Sequence, residues 1–445
     1  MKNIKKMYKA ILLFTMIAAV SACSSDDDGG TDPVPPTPIV ASFDAIISEQ
    51  NPFRVAVNNT STGITGLKSY WQFFANGPQV QDLAGPELFE YDASGDYTIT
   101  LTVKGPDGDV STSKVVSITG EAAVAPALKD ATNTFSVGMA VKSNLLDGEH
   151  GDILVREFNN LTAEFEMKMN IMYPTEGTYD FTAADAIVNY GIDNNMDIHG
   201  HTLIWHNATP EWVENFSGTD LEFETMIKDY ITTVMTRYSG KVRSWDVVNE
   251  AVEDGSNQLR NSVFRRRMGD DFISKCYQFA RDADPNVLLF YNDYNITFDA
   301  GKQAAMFAIV DDLDSKNLID GVGAQMHISY DFPSAAQIRS VVNGTVSRGL
   351  KMHFAELDVR ANPNNDITSL TTTRAREQQN KVREVVEIYD AIPDANKFAL
   401  TVWGIRDNET WLIDFWGQPD WPLLYDDDFN EKKAYEGFLE GLDAI

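Results

Sequence analysis

Ser244-Trp245-Asp246-Val247-Val248-Asn249-Glu250 is a strand-forming run that ends in a carboxylate. Met352-His353-Phe354-Ala355-Glu356-Leu357-Asp358 has the same form. A buried strand that stops at an acid is how a barrel enzyme presents one at its mouth. Glu250 and Glu356 are 106 residues apart (356 − 250), so only a fold can bring them together. Such a pair suits cleavage of a glycosidic bond: one carboxyl group protonates the leaving oxygen and a second carboxylate acts at the anomeric carbon. A gap of about 5–5.5 Å would give retention through a glycosyl-enzyme, and a wider one would admit water and give inversion.

Positioning the pair needs strands that end on one rim. Eight apolar, β-rich runs lie near residues 135–141, 160–167, 197–205, 242–249, 287–292, 321–326, 350–358 and 398–403. Amphipathic helical patterns separate them. One covers 221–238, with Phe223, Met226, Ile227, Tyr230, Ile231 and Val234 at three-to-four spacing; another covers 372–388. Eight β-then-α units predict an α/β protein of the (β/α)8 TIM-barrel class. An open doubly wound sheet is the alternative, but it would carry a Gly-rich first turn, which is missing.

Polar residues collect where these runs end: Glu164 and Lys168 on the second, His201, Trp205 and His206 on the third, Asn249 and Glu250 on the fourth. Asn292, Asp293 and Tyr294 follow the fifth, Gln325 and His327 the sixth, Glu356 and Asp358 the seventh, Trp403 the eighth. Five of the six histidines lie in or beside strands three, six and seven. Gln325 and His327, two apart on one strand, are expected to point the same way, as are Glu356 and Asp358. A His327 bridging Glu356 and Asp358 would steady the nucleophile and keep it ionised. Asn249 would reach a sugar hydroxyl, and Trp205, Trp403 and Trp411 offer flat faces to sugar C–H surfaces. Taken singly, each has a plainer reading as a salt bridge, a core ring or a satisfied histidine. Convergence on one rim argues for a site.

His201-Thr202-Leu203-Ile204-Trp205-His206, Trp245-Asp246-Val247-Val248-Asn249-Glu250, Tyr291-Asn292-Asp293-Tyr294, Gly323-Ala324-Gln325-Met326-His327, Glu356-Leu357-Asp358 and Thr401-Val402-Trp403-Gly404 resemble, in order and spacing, the motifs of glycoside hydrolase family 10. The resemblance implies a retaining endo-β-1,4-xylanase acting on xylan without cofactor or metal. It implies Glu250 as acid/base and Glu356 as nucleophile, supported by Asp358. Glu164, Lys168, His201, Trp205, Asn249, Gln325, His327, Trp403 and Trp411 would line the glycone side, with Tyr294 on the aglycone side. Two positions depart from the family pattern. Phe165 stands where an Asn is usual and cannot bond a hydroxyl. Arg406 stands before Asp407 where a small hydroxyl residue is usual, and is expected to meet an acidic decoration on xylan.

Three rival readings remain. A metal-dependent barrel hydrolase would use His199 and His201, but such enzymes carry that pair on the first strand. A non-catalytic polysaccharide-binding protein would not need both glutamates. A β-1,4-glucanase or cellulase differs from a xylanase by one hydroxymethyl group per sugar.

Lys2, Lys5, Lys6 and Lys9 precede an apolar run over 10–20, the shape of a secretory signal. Val20-Ser21-Ala22-Cys23 resembles a lipobox, so Cys23 is expected to be acylated, and the acidic stretch after it resembles the surface-export tag of bacterial lipoproteins. Export to the outer membrane, held there by lipid alone, follows. The expected division is 1–22 signal, 23–40 acidic and Pro-rich tether, 41–119 β module, 120–133 linker, 134–445 barrel. The module's short alternating runs predict a small immunoglobulin-like β-sandwich. It partly resembles a PKD-type module with Trp71 as its buried tryptophan, and a spacer role is expected.

With 36 basic and 66 acidic residues among 445, the net charge of −30 disfavours nucleic-acid binding and suits a neutral substrate. Only Cys23 and Cys276 are present, and Cys276 sits in a helical pattern as a small buried hydrophobe. A monomer is expected.

Overall fold

The computed structural model describes residues 38–48, 52–75, 77–82, 86–91, 93–119 and 125–443. The expected signal, Cys23 and most of the tether lie outside them. The chain divides into two compact units near residue 125.

The first unit contains two antiparallel sheets. One runs β1 (Phe43–Ile47), β2 (Arg54–Asn59), β5 (Glu87–Glu90); the other runs β4 (Val80–Gln81), β3 (Lys68–Gln72), β6 (Gly95–Gly105), β7 (Gly108–Ile118). The β6–β7 hairpin turns at Gly105-Pro106-Asp107-Gly108, with Gly108 at φ +130°, a value that glycine adopts without strain. Alternate residues Ile99, Leu101 and Val103 of β6 are buried, as the strand period requires. Ile99 and Leu101 meet Phe43, Val55 and Val57 of the other sheet around Trp71. Trp71 has no exposure, and its indole N–H donates to Asp82 at 2.8 Å. Its ring is therefore core, as expected.

The second unit is a closed parallel barrel. Its strands are β8 (Ser136–Val141), β9 (Asn160–Ala163), β10 (Asp197–Gly200), β12 (Ser244–Asn249), β13 (Leu288–Asp293), β14 (Gly321–Ala324), β16 (Lys351–Arg360) and β17 (Lys397–Val402), and β17 pairs back onto β8. Two short strands, β11 (Ile204–Trp205) and β15 (His327–Ser329), extend the third and sixth runs. The helix Asp220–Tyr238 shows how the outer layer forms. Thr219 and Glu222 close a capping box at its start, and Phe223, Ile227, Tyr230, Ile231 and Val234 bury one stripe. Cys276 is buried and unpaired in the helix Phe272–Ala283.

Two departures from the strand pattern matter for the site. The sixth run is broken after Ala324, where Met326 takes φ +61°. Gln325 and His327 therefore do not lie on one continuous strand, yet both side chains reach carboxylates of the mouth, Gln325 at Glu250 and His327 at Glu356. The histidines also separate by depth. His199 and His353 lie in the closed barrel interior against Phe290 and Phe398, with ring centroids 4.8 Å apart. They are core residues, because strand alternation places His199 on the same inner face as His201 but one layer deeper.

Candidate active site

Glu356 lies within β16, almost fully buried. Its Oε1 accepts from the Asn292 side-chain amide at 2.7 Å, and its Oε2 is 3.1 Å from His327 Nε2. The other ring nitrogen of His327 is 2.7 Å from Asp358 Oδ2, which also accepts from the Trp411 indole at 3.1 Å. The imidazole thus bridges the two carboxylates of one strand. Burial works against charge on His327, but Asp358 and Glu356 outweigh it and lift its proton affinity to about 10. Burial would likewise push Glu356 up, yet His327, His201 and Asn292 hold it below the ordinary carboxylate range. Glu356 is therefore a bare carboxylate at neutral pH.

Glu250 directly follows β12, which β13 and β14 separate from β16. Its Oε1 accepts from Gln325 Nε2 at 2.9 Å, and its Oε2 from the Trp205 indole at 2.9 Å. Asn249 Nδ2 stands 3.4 Å from Oε1. The two glutamates share one anchor: the Glu250 backbone N–H donates to the Asn292 carbonyl at 3.0 Å, while the Asn292 side chain holds Glu356. They also share one cation. Lys168 is buried, and although burial drives its proton affinity down, Glu356, Glu164 and Glu250 all act to raise it.

The remaining expected residues surround this pair. Lys168 Nζ sits 4.6 Å over the Trp205 ring and 5.1 Å over that of Phe165. Glu164 pairs with Lys142 at 3.3 Å, and burial raises its proton affinity despite Lys142 and Lys168. Trp403 packs edge-on to His201 at 5.6 Å. Trp205 and Trp411 hold carboxylates through their indole N–H groups as well as offering ring faces. Tyr294 is the least available: its hydroxyl is bonded to Arg260 at 2.6 Å and to Asp254, and Lys302 Nζ stands 3.4 Å from its ring centroid.

Phe165 is about half exposed (47 %) and adds an apolar face beside Glu164. Arg406 behaves otherwise than expected. Its guanidinium is ion-paired to Glu409, donates to the Asp427 carbonyl at 3.2 Å and stacks over Phe429 at 4.3 Å. Its charge is matched within its own loop, which removes the physical basis for expecting it to meet an acidic decoration.

Sequence reasoning passed over three positions. Asn292 was visible only as a strand-end polar residue. Asp246 lies fully inside, 2.8 Å from His201 Nδ1 and 3.0 Å from His199 Nε2. Burial opposes its charge, but the two histidines prevail and keep it well below the usual range. An acid in the middle of a Trp-Val-Val strand is itself a signal, since buried carboxylates require partners. Lys142 carried no such signal.

An eight-stranded parallel barrel holding one carboxylate just past its fourth strand and another within its seventh, each met by hydrogen-bond donors, has the architecture of a barrel glycoside hydrolase. The comparisons narrow this class. Residues 127–441 match the model of glycosyl hydrolase family 10, and the chain belongs to that family. An endo-1,4-β-xylanase of Geobacillus stearothermophilus is 37% identical over 324 residues, covering 70% of this chain and 97% of that one. Endo-β-1,4-xylanase Xyn10C of Cellvibrio japonicus is 36% identical over 383 residues, covering 78% of this chain. The chain spans 63% of that relative's length and 36% of the length of endo-1,4-β-xylanase C of Paenibacillus barcinonensis. Among solved structures, xylanase XynB of Paenibacillus barcinonensis superposes with a TM-score of 0.67 at 32% identity, covering 71% of this chain and 98% of that one.

Proposed function

We propose that the chain is a retaining endo-β-1,4-xylanase, with Glu356 as nucleophile and Glu250 as acid/base. The observation that carries this reading is that Glu250 and Glu356 meet at one mouth, both tied to Asn292, with His327, Asn292 and His201 keeping Glu356 ionised. In the first step Glu356 attacks the anomeric carbon while Glu250 protonates the departing glycosidic oxygen. Glu250, now bare, takes a proton from water, and the water oxygen displaces Glu356 from the sugar. Glu250 returns protonated and Glu356 returns ionised, so the cycle closes. In this reading Lys168, Glu164, Asn249 and His201 meet sugar hydroxyls on the glycone side.

The test is reducing-sugar release from xylan and from carboxymethyl cellulose. Release from xylan is expected, and a Glu356→Ala variant should lose it by the several orders of magnitude typical of removing a covalent nucleophile. Preference for the cellulosic polymer would replace the substrate class with that of a β-1,4-glucanase and leave the two roles intact. Glu250→Gln should abolish the alkaline limb of the pH profile, because that limb reports loss of the acid's proton.

The position of the enzyme is a second part of the reading. Residues 1–22 export the chain, Cys23 carries the lipid at the outer membrane, and the β module, of PKD type, acts as a spacer. Metabolic labelling with a radioactive fatty acid should mark the parent chain and not a Cys23→Ala variant; label on both would remove the anchor.

A further inference from the structure

The peptide bond between Glu250 and Ala251 is gripped from both sides. Its carbonyl oxygen accepts from Arg260 Nε at 2.8 Å, and its N–H donates to the Tyr291 hydroxyl at 3.0 Å. The two grips belong to one closed circuit. Arg260 donates to the Tyr294 hydroxyl at 2.6 Å, and Tyr294 donates to Asp254 Oδ2. Lys302 Nζ is 2.9 Å from Asp254 Oδ1 and 2.9 Å from Asp293 Oδ1. Asp293 Oδ2 accepts from Tyr291 at 2.8 Å, which returns to the starting peptide. Two cations, two carboxylates and two phenols therefore form a ring whose charges cancel.

The ring surrounds a backbone conformation that needs holding. Glu250 has φ +55°, in the left-handed region that a non-glycine residue seldom occupies. Such a residue persists only where its surroundings over-determine it. Lys302 is the member that joins the two arms, and its side chain has no exposure. It touches neither carboxylate of the reacting pair, so its part is not chemical.

We propose that Lys302 is a positioning residue for the acid/base: by closing the circuit through Asp254 and Asp293 it fixes the 250–251 peptide and thereby aims the Glu250 carboxyl at the leaving oxygen. This rests on the reading of Glu250 as acid/base. A buried ion pair that only stabilises the fold would affect all substrates alike. One that aims the acid affects only substrates whose leaving group needs a proton.

The experiment compares kcat/KM, which reports the first step, on a xylo-oligosaccharide and on 2,4-dinitrophenyl β-xylobioside, whose leaving group departs without protonation. The full chain is used with two variants. Lys302→Met breaks the circuit at its junction. Tyr291→Phe removes one hydroxyl but leaves Asp293 paired with Lys302, so it disturbs the fold less than Lys302→Met, which strands two buried carboxylates. Both are expected to lose about tenfold or more on the oligosaccharide, a part of the 10²–10⁴ that a placed general acid supplies, and to stay within about twofold on the dinitrophenyl substrate. Equal losses on both substrates, or no loss on either, overturn the proposal. A parent chain that cleaves neither substrate overturns the reading of the site, and this inference with it.

Discussion

His327 stands between two carboxylates that would repel each other without it. Its raised proton affinity, about 10 against an ordinary 6.5, has a definite sign in stability. The contribution of the charged imidazole is complete below about pH 6.5 and is lost as the pH climbs through about 10. Urea denaturation of the parent and of His327→Ala should therefore show a gap that narrows from pH 6 to pH 10. The effect on Glu356 runs the other way. Removing the cation takes away a group that depresses its proton affinity, so Glu356 becomes protonated at a higher pH. The acidic limb of kcat/KM should move upward in His327→Ala, and an unmoved limb would mean that His327 does not tune the nucleophile.

At the level of elements, the site depends on how closely neighbouring strands approach. Gly323 of β14 is in register with Asn292 of β13. A Cβ on Gly323 would fall 2.5 Å from Asn292 Oδ1 and 3.0 Å from its Cβ, too near for both to stay in place. Asn292 would have to move, and its amide holds Glu356. Gly323→Ala should cost about 1–3 kcal/mol of stability, the usual range for overpacking. It should also lower kcat/KM at temperatures where the variant remains folded. Full activity in a folded but destabilised variant would show that the Asn292 contact is dispensable.

For the whole molecule, two cores imply two folding units. The β unit closes around Trp71, and the barrel from residue 126 closes on itself through the β8–β17 pairing. A chain starting at residue 126 should fold alone and match the full chain in kcat/KM on soluble xylo-oligosaccharides, since every residue placed at the mouth lies after that point. Calorimetry of the full chain should show two transitions, of which only the second is lost on truncation to the β unit. A single transition, or an inactive truncated chain, would mean that the units depend on one another.

Much of this was legible along the chain. Strands ending in polar residues announce a barrel mouth because a parallel barrel buries its strands on both faces and opens at their C-terminal ends. Hence Glu250 and Glu356 could be picked out before any coordinates, and the helix expected over 221–238 differs by one residue from Asp220–Tyr238. Periodicity, however, tells which face a residue occupies and not which atom it meets. The break in the sixth strand around Met326, the depth of His199 and His353, the internal pairing of Arg406 and the circuit through Lys302 all depend on contacts between distant segments. Those contacts are set by strand register and loop path, which exist only once the chain has closed into its barrel.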